Sequence, residues 1–212
     1  MVLLSDELTE YLDRHCEPED ELLKHINRET HLKVLMPRML SGHYQGRVLS
    51  MLSKMIRPKR ILEIGTFTGY ATLCLAEGLS EKGVLHTIDI NPELEDMVRD
   101  HFSRSNFNQQ ITYHPGNALD IISELDEVFD LVFIDADKKN NMNYFDLVID
   151  KVRSGGLIII DNVLWNGKVL DTADADKDTR GIIDFNRVLS SDQRIEKLIL
   201  PVRDGLFLAL KR

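Results

Sequence analysis

The chain has little cysteine, no long apolar run and no concentrated positive charge, and each shortage excludes a class of protein. Cys16 and Cys74 are its only cysteines, with neither a C-x-x-C nor a metal-type spacing. A disulfide scaffold is thereby excluded, and both thiols are expected to be reduced. No apolar stretch approaches the ~20 residues needed to cross a bilayer, and the start of the chain lacks a basic-then-apolar signal segment. A cytoplasmic protein without a membrane partner is the expectation. Lys and Arg number 26 against 35 Asp and Glu, a net charge of −9. With no long basic face, that balance argues against a general nucleic-acid binder. The seven histidines all precede residue 115 without H-E-x-x-H or H-x-H spacing, and read as surface or core residues rather than ligands. There is no G-x-S-x-G nucleophile elbow, no G-x-G-x-x-G, and no Lys-Ser/Thr ending of a phosphate-binding loop.

What is present centres on Ile61-Leu62-Glu63-Ile64-Gly65-Thr66-Phe67-Thr68-Gly69-Tyr70. The apolar part reads as a buried parallel strand, and Gly65 and Gly69 let the backbone turn and approach a ligand before a helix begins near Tyr70. In open α/β sheets such a turn, at the carboxyl end of a strand, is where small molecules bind. Glu63 lies inside the end of this strand and Asp89 ends the next, 84–89. An acid at position 89 can accept both ribose hydroxyls of a nucleoside, while the missing phosphate cradle points to a ligand without pyrophosphate. S-adenosylmethionine fits that description.

Around this junction the chain alternates regularly. Strands are expected at 59–64, 84–89, 110–114, 129–135 and 156–161, with helices at 70–80, 92–105, 117–124 and 140–152. That spacing implies right-handed crossovers and a parallel sheet with helices on both faces. After a helix at 179–190, the runs 194–200 and 206–211 flank a hairpin-type connection, so one antiparallel strand is expected near the end. Residues 1 to about 35 read as two helices separated by Glu17-Pro18-Glu19, which cap the site or pair with a second subunit. Residues 36–46 read as a loop into a helix at 47–55, either folding over the ligand or simply connecting. The acidic segment 171–178 reads as a mobile loop. The whole 1–212 is expected to be one domain, with 1–57 a helical cap and possible dimer element and 58–212 the core.

Two further strands end in carboxylates, at Asp135 and at Asp161-Asn162. In a parallel sheet these ends share one edge, so Asp135, Asp161 and Asn162 converge near the Gly65 turn. An Asp at a strand end is also a common helix cap. Three oxygen donors beside a nucleoside-type turn favour the other reading, a hard set suited to Mg²⁺, with water or substrate completing it. Lys138, three residues beyond Asp135, reads as a general base, since a neighbouring cation disfavours its ammonium form. The alternative is a solvated lysine, the role expected of Lys139. Asp137 is either a partner of this group or a cap.

These motifs together resemble the cation-dependent class I O-methyltransferases, the group that includes caffeoyl-CoA and catechol O-methyltransferases. The resemblance rests on Leu62-Glu63-Ile64-Gly65-Thr66-Phe67-Thr68-Gly69-Tyr70-Ala71, on Phe133-Ile134-Asp135-Ala136-Asp137-Lys138, and on Asp161-Asn162-Val163-Leu164-Trp165-Asn166-Gly167, in that order and spacing. It covers the chain from about Met36 onward; the first ~35 residues match only in being helical. It implies a Rossmann-like seven-stranded, mostly parallel sheet and an S-adenosylmethionine site formed by Ser41, Glu63, Gly65, Thr66, Tyr70, Ala71, Asp89, Ala118 and Asp135. Ala71 stands where the family often has a serine, so one hydrogen bond to the methionine carboxylate is either missing or supplied by backbone. The resemblance further implies a metal, Mg²⁺ or another divalent cation such as Ca²⁺ or Mn²⁺, on Asp135, Asp161 and Asn162. Lys138 takes the base position with Asp135 beside it, Asn166 and Lys138 meet the substrate, and the protein forms a homodimer. The expected reaction is methyl transfer to one oxygen of a vicinal dihydroxy aromatic, a small phenolic substrate. A hydroxylated uridine in tRNA is the alternative acceptor, and a nicotinamide-dependent oxidoreductase or a non-enzymatic binding module the alternatives of another class.

Overall fold

The computed structural model describes residues 5–173 and 175–212, with Asp6 described without its side chain. Residues 1–4 of the expected N-terminal helices and Asp174 of the expected acidic loop lie outside the described residues. Seven strands form one sheet: β1 Arg60–Ile64, β2 Val84–Asp89, β3 Ile111–Pro115, β4 Phe129–Ile134, β5 Val152–Asp161, β6 Ile195–Leu200 and β7 Leu206–Lys211. Their order is β3-β2-β1-β4-β5-β7-β6, with β7 antiparallel to both neighbours and the other six strands running one way. Successive strands step outward from β1 in one direction and from β4 in the other. The crevice beyond their carboxyl ends is therefore the switch point where open sheets take ligands.

Alternate residues of each central strand feed two apolar layers. Ile61, Leu131, Phe133 and Ile159 pack beneath α2 Glu21–Lys33, α3 Gly42–Ile56, α4 Tyr70–Ala76 and α5 Glu95–Ser103. Leu62, Ile64, Val132, Ile134 and Ile160 pack beneath α6 Ala118–Glu124, α7 Asn141–Ile149 and α8 Lys177–Ser191. Strands covered on both faces read as unbroken apolar runs, which is why they stand out in the sequence. The remaining helix, α1 Asp6–His15, is capped by Ser5, and α2 by Asp20.

Several boundaries differ from expectation: α4 stops at Ala76 rather than 80, and α5 spans Glu95–Ser103 rather than 92–105. Helix α3 begins at Gly42, so much of the segment read as a loop is helical. Its Gly46 is a packing residue: a Cβ there would lie 2.8 Å from Cys74 Sγ and from the Tyr70 ring, so α3 and α4 could not approach as they do. Strand β5 starts at Val152, four residues early, through an irregular stretch containing Gly155 at φ +71° and a register shift against β4. The acidic segment is shorter than expected, because Asp176 caps α8 by accepting from Thr179 N–H.

Candidate functional site

The carboxyl ends of β1, β2, β4 and β5 open into a cavity of about 2010 Å³. Pockets for single small ligands are roughly 300–1,000 Å³, so this cavity exceeds what one such ligand needs. Gly65 forms its floor at φ +103°, where a Cβ would lie 2.1 Å from the Asp135 carbonyl oxygen. Any side chain would push β1 and β4 apart at the point where they splay. Asp89 stands at the rim with Oδ2 accepting from Phe67 N–H (2.6 Å) and Oδ1 from Asn91 N–H (2.9 Å). Those bonds fix the carboxylate and leave each oxygen a further lone pair for a ligand hydroxyl.

On the opposite wall Lys138 Nζ donates to Asp135 Oδ1 at 3.0 Å, with both side chains largely withdrawn from solvent. Asp161 is buried; its Oδ2 accepts from Gln45 Nε2 (2.6 Å) and its Oδ1 from Asn162 N–H (2.6 Å). Burial, then the charge of Asp135, pushes the Asp161 carboxyl up to about 7. Asn162 follows it on the cavity lining at φ +64°, a left-handed conformation that Asn tolerates better than most residues. None of these three caps a helix: Asn140 stands at the N-cap of α7, and Leu164 at that of the 3₁₀ segment Trp165–Leu170. The cap reading of the strand-end acids is set aside. Asp137 also makes no cap bond; it accepts from Tyr144 Oη (2.6 Å) and Asn140 Nδ2 (2.7 Å).

Of the residues singled out in the sequence, Ser41, Gly65, Asp89, Ala118, Asp135, Lys138, Asp161, Asn162 and Asn166 line this one cavity. Glu63, Thr66, Tyr70 and Ala71 do not. Glu63 is fully buried one layer below the floor, its Oε2 accepting from Thr72 and Thr87 hydroxyls while Oε1 has no partner. Thr66 is buried with its hydroxyl 2.6 Å from that of Thr87. Tyr70 packs in the α3–α4 core and donates to Glu19 Oε1 at 2.5 Å, and Ala71 joins the same core. Two residues the motifs did not mark complete the site. Gln45 comes from the first turns of α3. Arg203, from the β6–β7 turn, reaches over the cavity to donate through Nη1 to the carbonyls of Leu40 (2.6 Å) and Ser41 (2.5 Å).

Residues 13–212 match the O-methyltransferase family. The chain belongs to that family. This O-methyltransferase is 38% identical to the caffeoyl-CoA O-methyltransferase of Petroselinum crispum over 98% of its own length and 91% of that protein. Among solved structures it is similar to the O-methyltransferase of Bacillus cereus in complex with SAH, with a TM-score of 0.89, 31% identity and 97% of each chain covered. It also matches the O-methyltransferase TomG of Streptomyces achromogenes, involved in tomaymycin synthesis and solved with SAM, at a TM-score of 0.89 and 29% identity over 97% and 96% of the two chains. Family membership sets aside the oxidoreductase and the non-enzymatic binding module.

Proposed function

We propose that this O-methyltransferase moves the methyl group of S-adenosylmethionine to one oxygen of a vicinal dihydroxy aromatic, using a divalent cation held by Asp135, Asp161 and Asn162. The observation that carries the reading is the convergence of the Lys138–Asp135 pair, Asp161 and Asn162 on the same cavity as Gly65 and Asp89. The name of the Petroselinum relative supports a caffeoyl-type acceptor, and the SAH and SAM of the two solved relatives support the donor.

The residues fit both groups. A donor bearing ribose hydroxyls suits a site with the Asp89 carboxylate fixed at its rim. Two carboxylates and an amide oxygen suit a hard divalent cation, and a positive charge there would offset the burial and the Asp135 repulsion that disfavour ionised Asp161. S-adenosylmethionine supplies the electrophilic methyl, and the cation supplies Lewis acidity that lowers the pKa of the acceptor's hydroxyl. The chain's own residues do the rest. Asp89 holds the ribose hydroxyls, Lys138 Nζ takes the proton of the reacting hydroxyl, and Gln45 keeps Asp161 oriented. Asn166, on the cavity wall, meets the acceptor. Alignment of the oxygen with the methyl comes from holding both molecules in one cavity.

Replacing Asp161 with Ala is expected to reduce Mg²⁺-dependent turnover by about 100-fold or more, leaving S-adenosylhomocysteine affinity by calorimetry within about threefold. Normal turnover by this variant would contradict the metal assignment.

A further inference from the structure

Away from the cavity, three side chains bearing ligand atoms meet between α2 and α5. His25 and Glu29 stand four residues apart and project from one face of α2, and His101 faces them from α5. Their ligand atoms all lie within 4.8 Å of one another. Glu29 Oε2 is 2.8 Å from His101 Nε2 and 3.7 Å from His25 Nε2. A tetrahedral ion with bonds of about 2.1 Å sets its ligands roughly 3.4 Å apart, so these separations straddle one coordination edge. None of the three residues lines the cavity.

The surroundings of His101 indicate what the cluster suits. Its ring is fully buried and Nδ1 lies 2.9 Å from the Thr68 carbonyl oxygen, which only accepts, so Nδ1 carries a proton. A carbonyl holding Nδ1–H is the arrangement that orients metal-bound histidines. Nε2 then faces a carboxylate, and a neutral ring would set a lone pair against it. A positive centre between them relieves this: either a second ring proton or a metal ion. A proton shared by His101 and Glu29 needs no third donor, whereas the arrival of His25 Nε2 supplies one. Two cations flank the group. Lys33 holds the other oxygen of Glu29, and Arg104 Nη1 lies 2.7 Å from His25 Nε2. The Arg104 side chain is 44% exposed and has Asp100 as a second partner, so an ion displaces it into solvent without stranding a buried charge.

We infer that His25, Glu29 and His101 form a second metal site, selective for a borderline divalent ion such as Zn²⁺. Two imidazoles and one carboxylate favour Zn²⁺ over Mg²⁺, the reverse of the oxygen-only set at the strand ends. An ion there joins α2 to α5. Through the Thr68 carbonyl it also braces the β1–α4 turn, where the Thr30 and Thr68 hydroxyls already lie 3.0 Å apart.

The test is calorimetric titration of the full chain with Zn²⁺ in excess Mg²⁺, which fills the hard-oxygen site. One Zn²⁺ per chain is expected. His25→Ala, at a side chain 38% exposed, should weaken it by about tenfold or more while leaving the melting temperature in EDTA unchanged. Asp161→Ala should retain wild-type Zn²⁺ affinity. Absence of a Zn²⁺ site in the wild type, unchanged affinity in His25→Ala, or loss of the site in Asp161→Ala would each overturn the inference, the last by placing the ion in the cavity.

Discussion

Glu63 is the penultimate residue of β1, two before Gly65, with no exposed surface and one oxygen unpartnered. Burial, reinforced by the charges of Asp135 and Asp89 against the hydroxyls of Thr72 and Thr87, pushes its carboxyl up to about 8. An unfolded glutamate titrates near 4.5. Between those values the folded chain binds more protons than the unfolded one, so this residue makes stability fall as pH rises from about 4.5 to 8, with no further change above. Glu63→Gln keeps an acceptor for Thr72 and Thr87 and removes the titration. Its melting temperature in EDTA is expected to decline less steeply than wild type between pH 5 and 9; parallel curves would contradict this. Asp135, Asp161 and Asn162 were legible because each follows an apolar run, and parallel strands end on one edge. Gln45 was not, since its partner Asp161 is 116 residues away and it lies in a stretch whose glycines resemble a loop. The His25–Glu29–His101 group was hidden the same way, with His101 bonded to a residue 72 positions earlier.

At the scale of elements, two glycines of similar appearance in the sequence make opposite predictions. Gly65 sits at φ +103° against the Asp135 carbonyl, whereas a Cβ on Gly181, within α8, meets nothing within 4 Å. Gly65→Ala is expected to cost roughly 2–4 kcal/mol of stability, from a strained backbone and a forced shift of β4. Gly181→Ala is expected to add roughly 0.5–1 kcal/mol by reducing the freedom of the unfolded chain. Denaturant midpoints of the two variants check both signs. The Arg203 clamp joins the β6–β7 turn to the segment before α3, two pieces 163 residues apart whose connection no local pattern announces. Arg203→Ala frees the Ser41 carbonyl and loosens that wall, and is expected to raise KM for donor and acceptor by about tenfold with a smaller change in kcat. A fall in kcat alone would place Arg203 in the chemical step instead.

Across the whole molecule, the mostly parallel sheet with its antiparallel strand near the end followed from the strand–helix rhythm and the closing hairpin, because parallel neighbours need long crossover connections. How the N-terminal helices dock did not follow, since it depends on single long-range contacts such as Tyr70 to Glu19 and His101 to Glu29. Among the described residues no helix is long and apolar enough to cross a membrane. Leu32, Leu35, Met51 and Met55 are nonetheless 71%, 94%, 61% and 74% exposed on α2, α3 and the segment between them. We propose that a second copy of the chain covers these side chains. Sedimentation should give twice the 24.4 kDa of the chain, reverting toward one copy in Met55→Glu, and a monomeric wild type would refute it. The central claim, metal-assisted methyl transfer, is tested most directly by incubating the protein with label-bearing S-adenosylmethionine and caffeic acid or caffeoyl-CoA, once with Mg²⁺ and once with EDTA. Labelled product that EDTA abolishes is the predicted result. No product with either acceptor, from protein shown to bind S-adenosylhomocysteine, or product formation that EDTA leaves unchanged, would contradict it.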